Sequence, residues 1–152
     1  MLYTWHMDNH LQSIFALLKE TTLFSALDDQ SLQVLASKCQ PITYQRGDRL
    51  FEPGDLTQGL FIIESGQAAL VDQKNLGERL LLERADFAGE EAAFLQPRRA
   101  YALVIKEPSQ LLAISNEDVQ ELVTAHPEVQ KNLRILAPKP QNEFEITNAL
   151  VD

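Results

Sequence analysis

The chain is poor in the residues that anchor metals and disulfides. It has one cysteine, Cys39, and three histidines, His6, His10 and His126. A single cysteine forms no internal disulfide, no thiolate zinc site and no iron–sulfur cluster, and it fits a reducing, cytoplasmic setting. His6 and His10 have the i, i+4 spacing of a helical metal pair, but they sit in a stretch without clear period and read as a frayed tail. His126, directly before Pro127, reads as a helix junction. No histidine falls in the β-rich middle of the chain, so a metal-dependent barrel lacks its ligands there. A Ser–His–acid or Cys–His constellation cannot be assembled there either. An enzyme, and a bound metal, are therefore not expected.

Basic residues are also scarce. Thirteen Lys and Arg stand against 22 Asp and Glu, a net charge of −9. That balance argues against a nucleic acid partner, whose recognition rests on clustered cations. It leaves open one small anion in a pocket, because screening over roughly 8 Å puts local groups in charge. No apolar run approaches the roughly 20 residues that cross a bilayer. The N-terminus has no basic start followed by an apolar stretch and a cleavage site. No membrane or secretory role is expected.

What remains is an ordinary globular composition, 45% apolar and 23% charged over 152 residues, enough for one domain with a real core. Residues 1–10 read as a tail, in which Tyr3 and Trp5 are suited to pack on the first helix. Residues 11–152 read as a single domain, with helices over 11–38, strands over 40–115 and helices over 116–151. Leu11, Ile14, Phe15, Leu17 and Leu18 follow helical spacing and make an amphipathic helix seeking a partner surface. Leu23-Phe24 should plug into the main body. Asp28-Asp29 offers a cap for a second helix.

From Gln40 the period shortens. Ile42-Thr43-Tyr44, Arg49-Leu50-Phe51, Leu60 to Ile63 and Ala68 to Val71 are short apolar runs. Gly47-Asp48, Pro53-Gly54-Asp55 and Ser65-Gly66 punctuate them, a pattern of short strands in a sandwich, roll or barrel. Lys74 to Gly77 reads as a hairpin tip and Arg79 to Leu82 as the returning strand. Tyr101 to Lys106 and Gln110 to Ser115 complete the β region, with Glu107-Pro108 as a turn. Asn116 is the expected N-cap of the next helix. Pro127 opens another, with Val129, Leu133, Ile135 and Leu136 facing inward.

One stretch breaks these patterns. In Phe87 to Tyr101, a short helical turn opens at Gly89 and closes at Pro97-Arg98-Arg99. Glycine at a helix start lets amides approach an anion, arginine brings a charged fork, and Glu90 adds an acceptor. Together they suit a ligand with one phosphate and a free hydroxyl. The stretch resembles the phosphate-binding cassette of cyclic nucleotide-binding domains, as in catabolite-activator-type regulators and protein kinase A regulatory subunits. Gly89, Glu90 and Ala92 stand in register with that cassette. Counting without a gap places Arg99 at the phosphate arginine and Ala100 at the small residue after it; Arg98 is the alternative. Arg46-Gly47-Asp48, Pro53-Gly54-Asp55, Leu60-Phe61-Ile62-Ile63 and Ser65-Gly66 follow in the family's order, so the resemblance covers about Leu17 to Val129.

The resemblance implies a mainly β fold, a double-stranded β-helix or jelly-roll-like β-roll, with N-terminal and C-terminal helices. It implies a sensor that binds cyclic AMP or cyclic GMP through Gly89, Glu90, Glu91, Ala92, Arg98, Arg99 and Ala100, with Glu90 accepting from the ribose 2′-hydroxyl. A residue between Leu133 and Phe144 would cap the base. Ala102 stands where some members carry the hydroxyl that contacts guanine, which favours cyclic AMP. Two positions depart from the pattern. Tyr101 replaces a smaller residue and narrows the pocket. Glu91 replaces an apolar residue, and its carboxylate repels an anion if it points inward but not if it faces solvent. Lys131, Arg134 and Lys139 cluster modestly with no helix-turn-helix after them. The alternative is a member that binds no nucleotide and serves as a protein-interaction or dimerisation module, a homodimer or the partner of an effector protein.

Overall fold

The computed structural model describes residues 9–72 and 78–137. Helix α1 (Asn9–Glu20), a 3-10 turn (Thr22–Phe24) and helix α2 (Asp29–Lys38) come first. Six strands follow: β1 (Gln40–Tyr44), β2 (Arg49–Phe51), β3 (Leu60–Asp72), β4 (Glu78–Leu82), β5 (Phe87–Ala88) and β6 (Ala102–Ile114). A 3-10 turn, Glu90–Phe94, separates β5 from β6, and α3 (Asn116–Ala125) and α4 (Pro127–Leu136) close the described chain.

The strands form one antiparallel sheet in the order β1-β6-β3-β4, with β2 on β6 and β5 on β3. Its two spines, β3 and β6, are long strands where the turn residues predict breaks. Neither Ser65-Gly66 nor Glu107-Pro108 is a chain reversal. They face each other across the sheet, where the β3–β6 register shifts between Ile63, Ser65, Gln67 and Ala68. Gly66 sits there at φ +93°, and a Cβ would collide with Ser109. Proline lacks the ladder donor and is tolerated at such an irregularity. The sheet bends at one shared level, and each spine serves both halves of the roll.

The core has two parts on opposite faces of the sheet, since successive residues of a strand such as Ile62 and Ile63 alternate. One joins Ile14, Leu17, Leu18, Leu23 and Phe24 to Leu60, Ile62, Leu112 and Ile114 and to Val119, Val129 and Leu133 of the late helices. The apolar stripe of α1 is thus covered by its own domain rather than left for a partner. The other lies within the roll and gathers Phe51, Ile63, Leu70, Leu82, Leu103, Ile105 and Leu111.

Local signals place most helix ends. Asp28 caps α2 by accepting from the Ser31 amide at 2.8 Å, and Pro127 is in the first turn of α4. Two expectations need correction. Ser115, not Asn116, caps α3, its hydroxyl accepting from the Asp118 amide at 3.1 Å; Asn116 is drawn instead into contacts with the 57–59 loop. Val129 and Leu133 are buried, but Ile135 and Leu136 at the end of α4 are exposed: Ile135 stands off the Val129–Leu133 stripe of a 3.6-residue helix, and Leu136 is the last residue of the helix. The expected hairpin tip at Lys74 to Gly77, with His6, Lys139 and Phe144, lies outside the described residues.

Candidate functional site

Gly89 makes the site possible. It is left-handed, φ +95° and ψ +29°, at the start of the Glu90–Phe94 turn. Residues with a Cβ avoid that region. The turn closes when the amides of Leu95 and Gln96 both donate to the Glu91 carbonyl. The Ala92 amide donates to the Gly89 carbonyl at 3.2 Å, so it is engaged inside the turn.

After the turn, the chain runs back along the Pro53–Thr57 loop. The Arg99 amide donates to Asp55 O, the Gly54 amide to Arg99 O and the Thr57 amide to Pro97 O, at 2.8, 2.9 and 3.0 Å. Leu56 bridges Arg98 in the same antiparallel sense. Extended backbone alternates its side chains, so the two arginines point opposite ways. Arg98 is exposed and donates to Gly54 O at 3.1 Å. Arg99 is 3% exposed and points inside.

The Arg99 guanidinium is held on several sides. Its Nη2 donates to Gly59 O at 2.8 Å and its Nη1 to Gly89 O at 3.2 Å. Nη1 also pairs with Glu91 Oε1 at 3.1 Å. The Phe51 ring lies 4.2 Å from the guanidinium carbon, a cation–π contact. Nε is buried without a hydrogen-bond partner among the described residues. Burial pulls the Arg99 pKa down; the charge and hydrogen bond of Glu91, then Glu90 and Asp55, push against that shift. Arginine stays charged in proteins under such shifts.

Glu91 points inward. It is 8% exposed, and its second oxygen, Oε2, accepts from the Ala100 amide at 3.1 Å. Breaking a buried pair of this kind by deleting one partner costs about 3–5 kcal/mol. Glu90 is half-buried beside it, next to Phe94, Gln96 and Arg134.

The late helices grip the same turn. Gln120 of α3 donates to Ala92 O at 2.6 Å, and Gln130 of α4 donates to Ala93 O at 2.9 Å. Arg134 of α4 lies over the Phe94 ring at 4.9 Å. Any change in the turn's carbonyls is therefore felt by both helices.

On the Phe51 side of Arg99 a cavity of about 470 Å3 is walled by Tyr44, Leu50, Phe51, Asp55, Leu56, Gln58 and Phe61. Among the described residues no three His, Cys, Asp or Glu side chains gather as a metal site.

Of the residues that sequence reasoning selects, Gly89, Glu91, Arg99 and Ala100 meet in one network, with Glu90 and Ala92 in its turn; Arg98 is turned away. The sequence reading missed Gly59, Phe51, Asn116, Gln120 and Gln130. Gly59, directly before β3, was the one with a legible signal.

A model of the cyclic nucleotide-binding domain matches residues 41–126. This chain belongs to the cyclic nucleotide-binding domain family. A curated relative, the cyclic AMP receptor protein of Thermus thermophilus, is 30% identical over 133 residues, covering 85% of this chain. The chain spans 61% of that relative's length. The crystal structure of the Thermus thermophilus catabolite activator protein superposes with a TM-score of 0.66 at 27% identity, over 85% of this chain and 60% of that one. The regulatory domain of Toxoplasma gondii PKA, solved with cAMP, has the same fold, with a TM-score of 0.73 at 17% identity over 83% and 49% of the two chains. The antiparallel sheet with flanking helices is thus the fold of the cyclic nucleotide-binding domains it matches.

Proposed function

We propose that this chain is a regulatory sensor module that takes a cyclic nucleoside monophosphate at the Gly89–Ala100 network, cyclic AMP in preference to cyclic GMP. The observation that carries the reading is Arg99 itself, a buried guanidinium under a left-handed glycine with its Nε–H unpartnered among the described residues. A buried donor left empty is costly, and a phosphate oxygen is the natural acceptor for it. Arg99 is the phosphate residue in this reading, with Ala100 offering its amide and Glu90 the ribose contact. Ala102 is fully buried and brings no hydroxyl to a guanine edge.

Relay follows from the two glutamines. Ligand that reshapes the turn moves the carbonyls of Ala92 and Ala93, and with them the hydrogen bonds of Gln120 and Gln130. Differential affinity for two such arrangements shifts their populations. The module works in the cytoplasm, without nucleic acid contacts or catalysis of its own, and hands its state to an effector or to a second copy.

The test is calorimetric titration of cyclic AMP and cyclic GMP into the protein and into Arg99→Ala and Arg98→Ala. Charged hydrogen bonds are worth about 1.5–3 kcal/mol each, so Arg99→Ala should weaken binding by at least about 10-fold. Arg98→Ala should leave it nearly unchanged. Full affinity in Arg99→Ala, or no binding by the parent protein at millimolar nucleotide, rejects the reading.

A second reading has an observation of its own, the Glu91 carboxylate seated on Arg99. A permanently filled seat makes the domain a nucleotide-free interaction module. Such a module would show no thermal shift with millimolar cyclic nucleotide, and light scattering would find it as a dimer.

A further inference from the structure

Glu91 forms more than an ion pair. One oxygen sits on the charged fork of Arg99 at 3.1 Å and the other on the main-chain amide of Ala100 at 3.1 Å. A single anion bridging a guanidinium and the next residue's amide is the arrangement a phosphate group would adopt between the same donors. The remaining acceptors on Arg99, the carbonyls of Gly59 and Gly89, carry no charge.

We infer that the Glu91 carboxylate is the resident anion of this seat, an internal ligand that any incoming phosphate must expel. The inference rests on the proposed nucleotide site and assigns it a built-in competitor. Being tethered, Glu91 is present at high effective concentration, so it lowers the affinity for every phosphate-bearing ligand. Only a ligand with strong further contacts to the roll displaces it. Loose inorganic anions are shut out.

The geometry supplies the exit. The Glu91 main chain is held by the turn-closing amides of Leu95 and Gln96, so the side chain can rotate while the turn stays closed. Beside it lies a space of about 320 Å3 walled by Glu90, Phe94, Gln96, Arg134 and Ala137. Arg134 there offers a second cation to the displaced carboxylate.

An anion-rescue experiment separates a resident anion from a plain structural pair. Melting temperatures are measured for the protein, Glu91→Ala, and Glu91→Ala combined with Arg99→Ala, at constant ionic strength, with sodium sulfate replacing chloride. Glu91→Ala should melt lower by on the order of 10 °C. Sulfate should then raise its melting temperature by several degrees more than that of the parent or the double variant; those two controls subtract the general effect of sulfate on burial. If Glu91→Ala does not fold, Glu91→Gln, which keeps an acceptor for the Ala100 amide, takes its place. Cyclic AMP should bind the Glu91 variant at least 10-fold more tightly than the parent. Sulfate rescue without cyclic AMP binding keeps the resident anion and removes the nucleotide reading. Absence of the excess sulfate shift, or equal cyclic AMP affinity in parent and variant, overturns the resident anion and leaves the nucleotide reading standing.

Discussion

Gly89 and Arg99 are fitted together with no room for a methyl group. A Cβ on Gly89 would lie 2.8 Å from Arg99 Nη1 and 2.9 Å from the Gly59 carbonyl oxygen. Gly89→Ala meets two penalties: an L-residue at φ +95°, about 1–2 kcal/mol, and displacement of a buried guanidinium from its carbonyls. We expect a loss of at least about 2 kcal/mol in urea unfolding. A change below about 0.5 kcal/mol would mean the turn relaxes freely and does not clamp Arg99.

The coupling of the turn to the late helices runs through Gln120 and Gln130. Each donates to a carbonyl of the turn, Ala92 O and Ala93 O respectively. Replacing either with Ala should cost about 1 kcal/mol. It should also speed amide hydrogen exchange across the Glu90–Phe94 turn and in the helix that lost its anchor. Slow exchange in the turn after both substitutions would show that packing alone holds it.

The contrast between what was legible and what was not is physical. Asp28, Pro127 and Gly89 act through their own backbone neighbourhood, and each sits where its chemistry predicts. The turn signals Ser65-Gly66 and Glu107-Pro108 were real, yet they mark a bend shared by two paired strands, and pairing is a property of the sheet. The inward face of α4 failed at Ile135, which helical spacing itself puts off the Val129–Leu133 stripe, and at Leu136, the last residue of the helix. Ser115 and Asn116 are both good caps; a loop 57 residues away decided between them, since Gly59 claims the Asn116 side chain. Glu91 could point either way until the amide of Ala100 and the fork of Arg99 were in place.

Cys39 should be chemically silent. It is buried at the end of α2, and desolvation, with smaller contributions from Asp118 and Glu64, pushes its thiol up to about 12. The thiolate is the reactive form, so Ellman's reagent at pH 8 should label the unfolded protein and leave the native one unlabelled. The sign of the linkage follows. A pKa raised by folding gives stability that is intact below the ordinary thiol range and declines as pH climbs from there towards about 12. Rapid stoichiometric labelling of native protein would place the thiol at the surface.

Asn116 holds the residue whose carbonyl Arg99 leans on. Its Oδ1 accepts from the Gly59 amide at 2.6 Å and its Nδ2 donates to Thr57 O at 2.8 Å, while the Gly59 carbonyl accepts from Arg99 at 2.8 Å. The side chain thereby fixes the Gln58–Gly59 peptide, the unit directly before the Gly59 carbonyl that orients the guanidinium. Asn116→Ala removes both bonds, and at about 0.5–1.5 kcal/mol for each bond lost should cost about 1–3 kcal/mol. Asn116→Asp keeps the acceptor for Gly59 and loses only the donor, and its charge is welcome in the first turn of α3. It should therefore retain about half or more of the lost stability in urea unfolding. If Asp is as damaging as Ala, the bond to Thr57 carries the effect, and the Gly59 peptide is held by its strand rather than by Asn116.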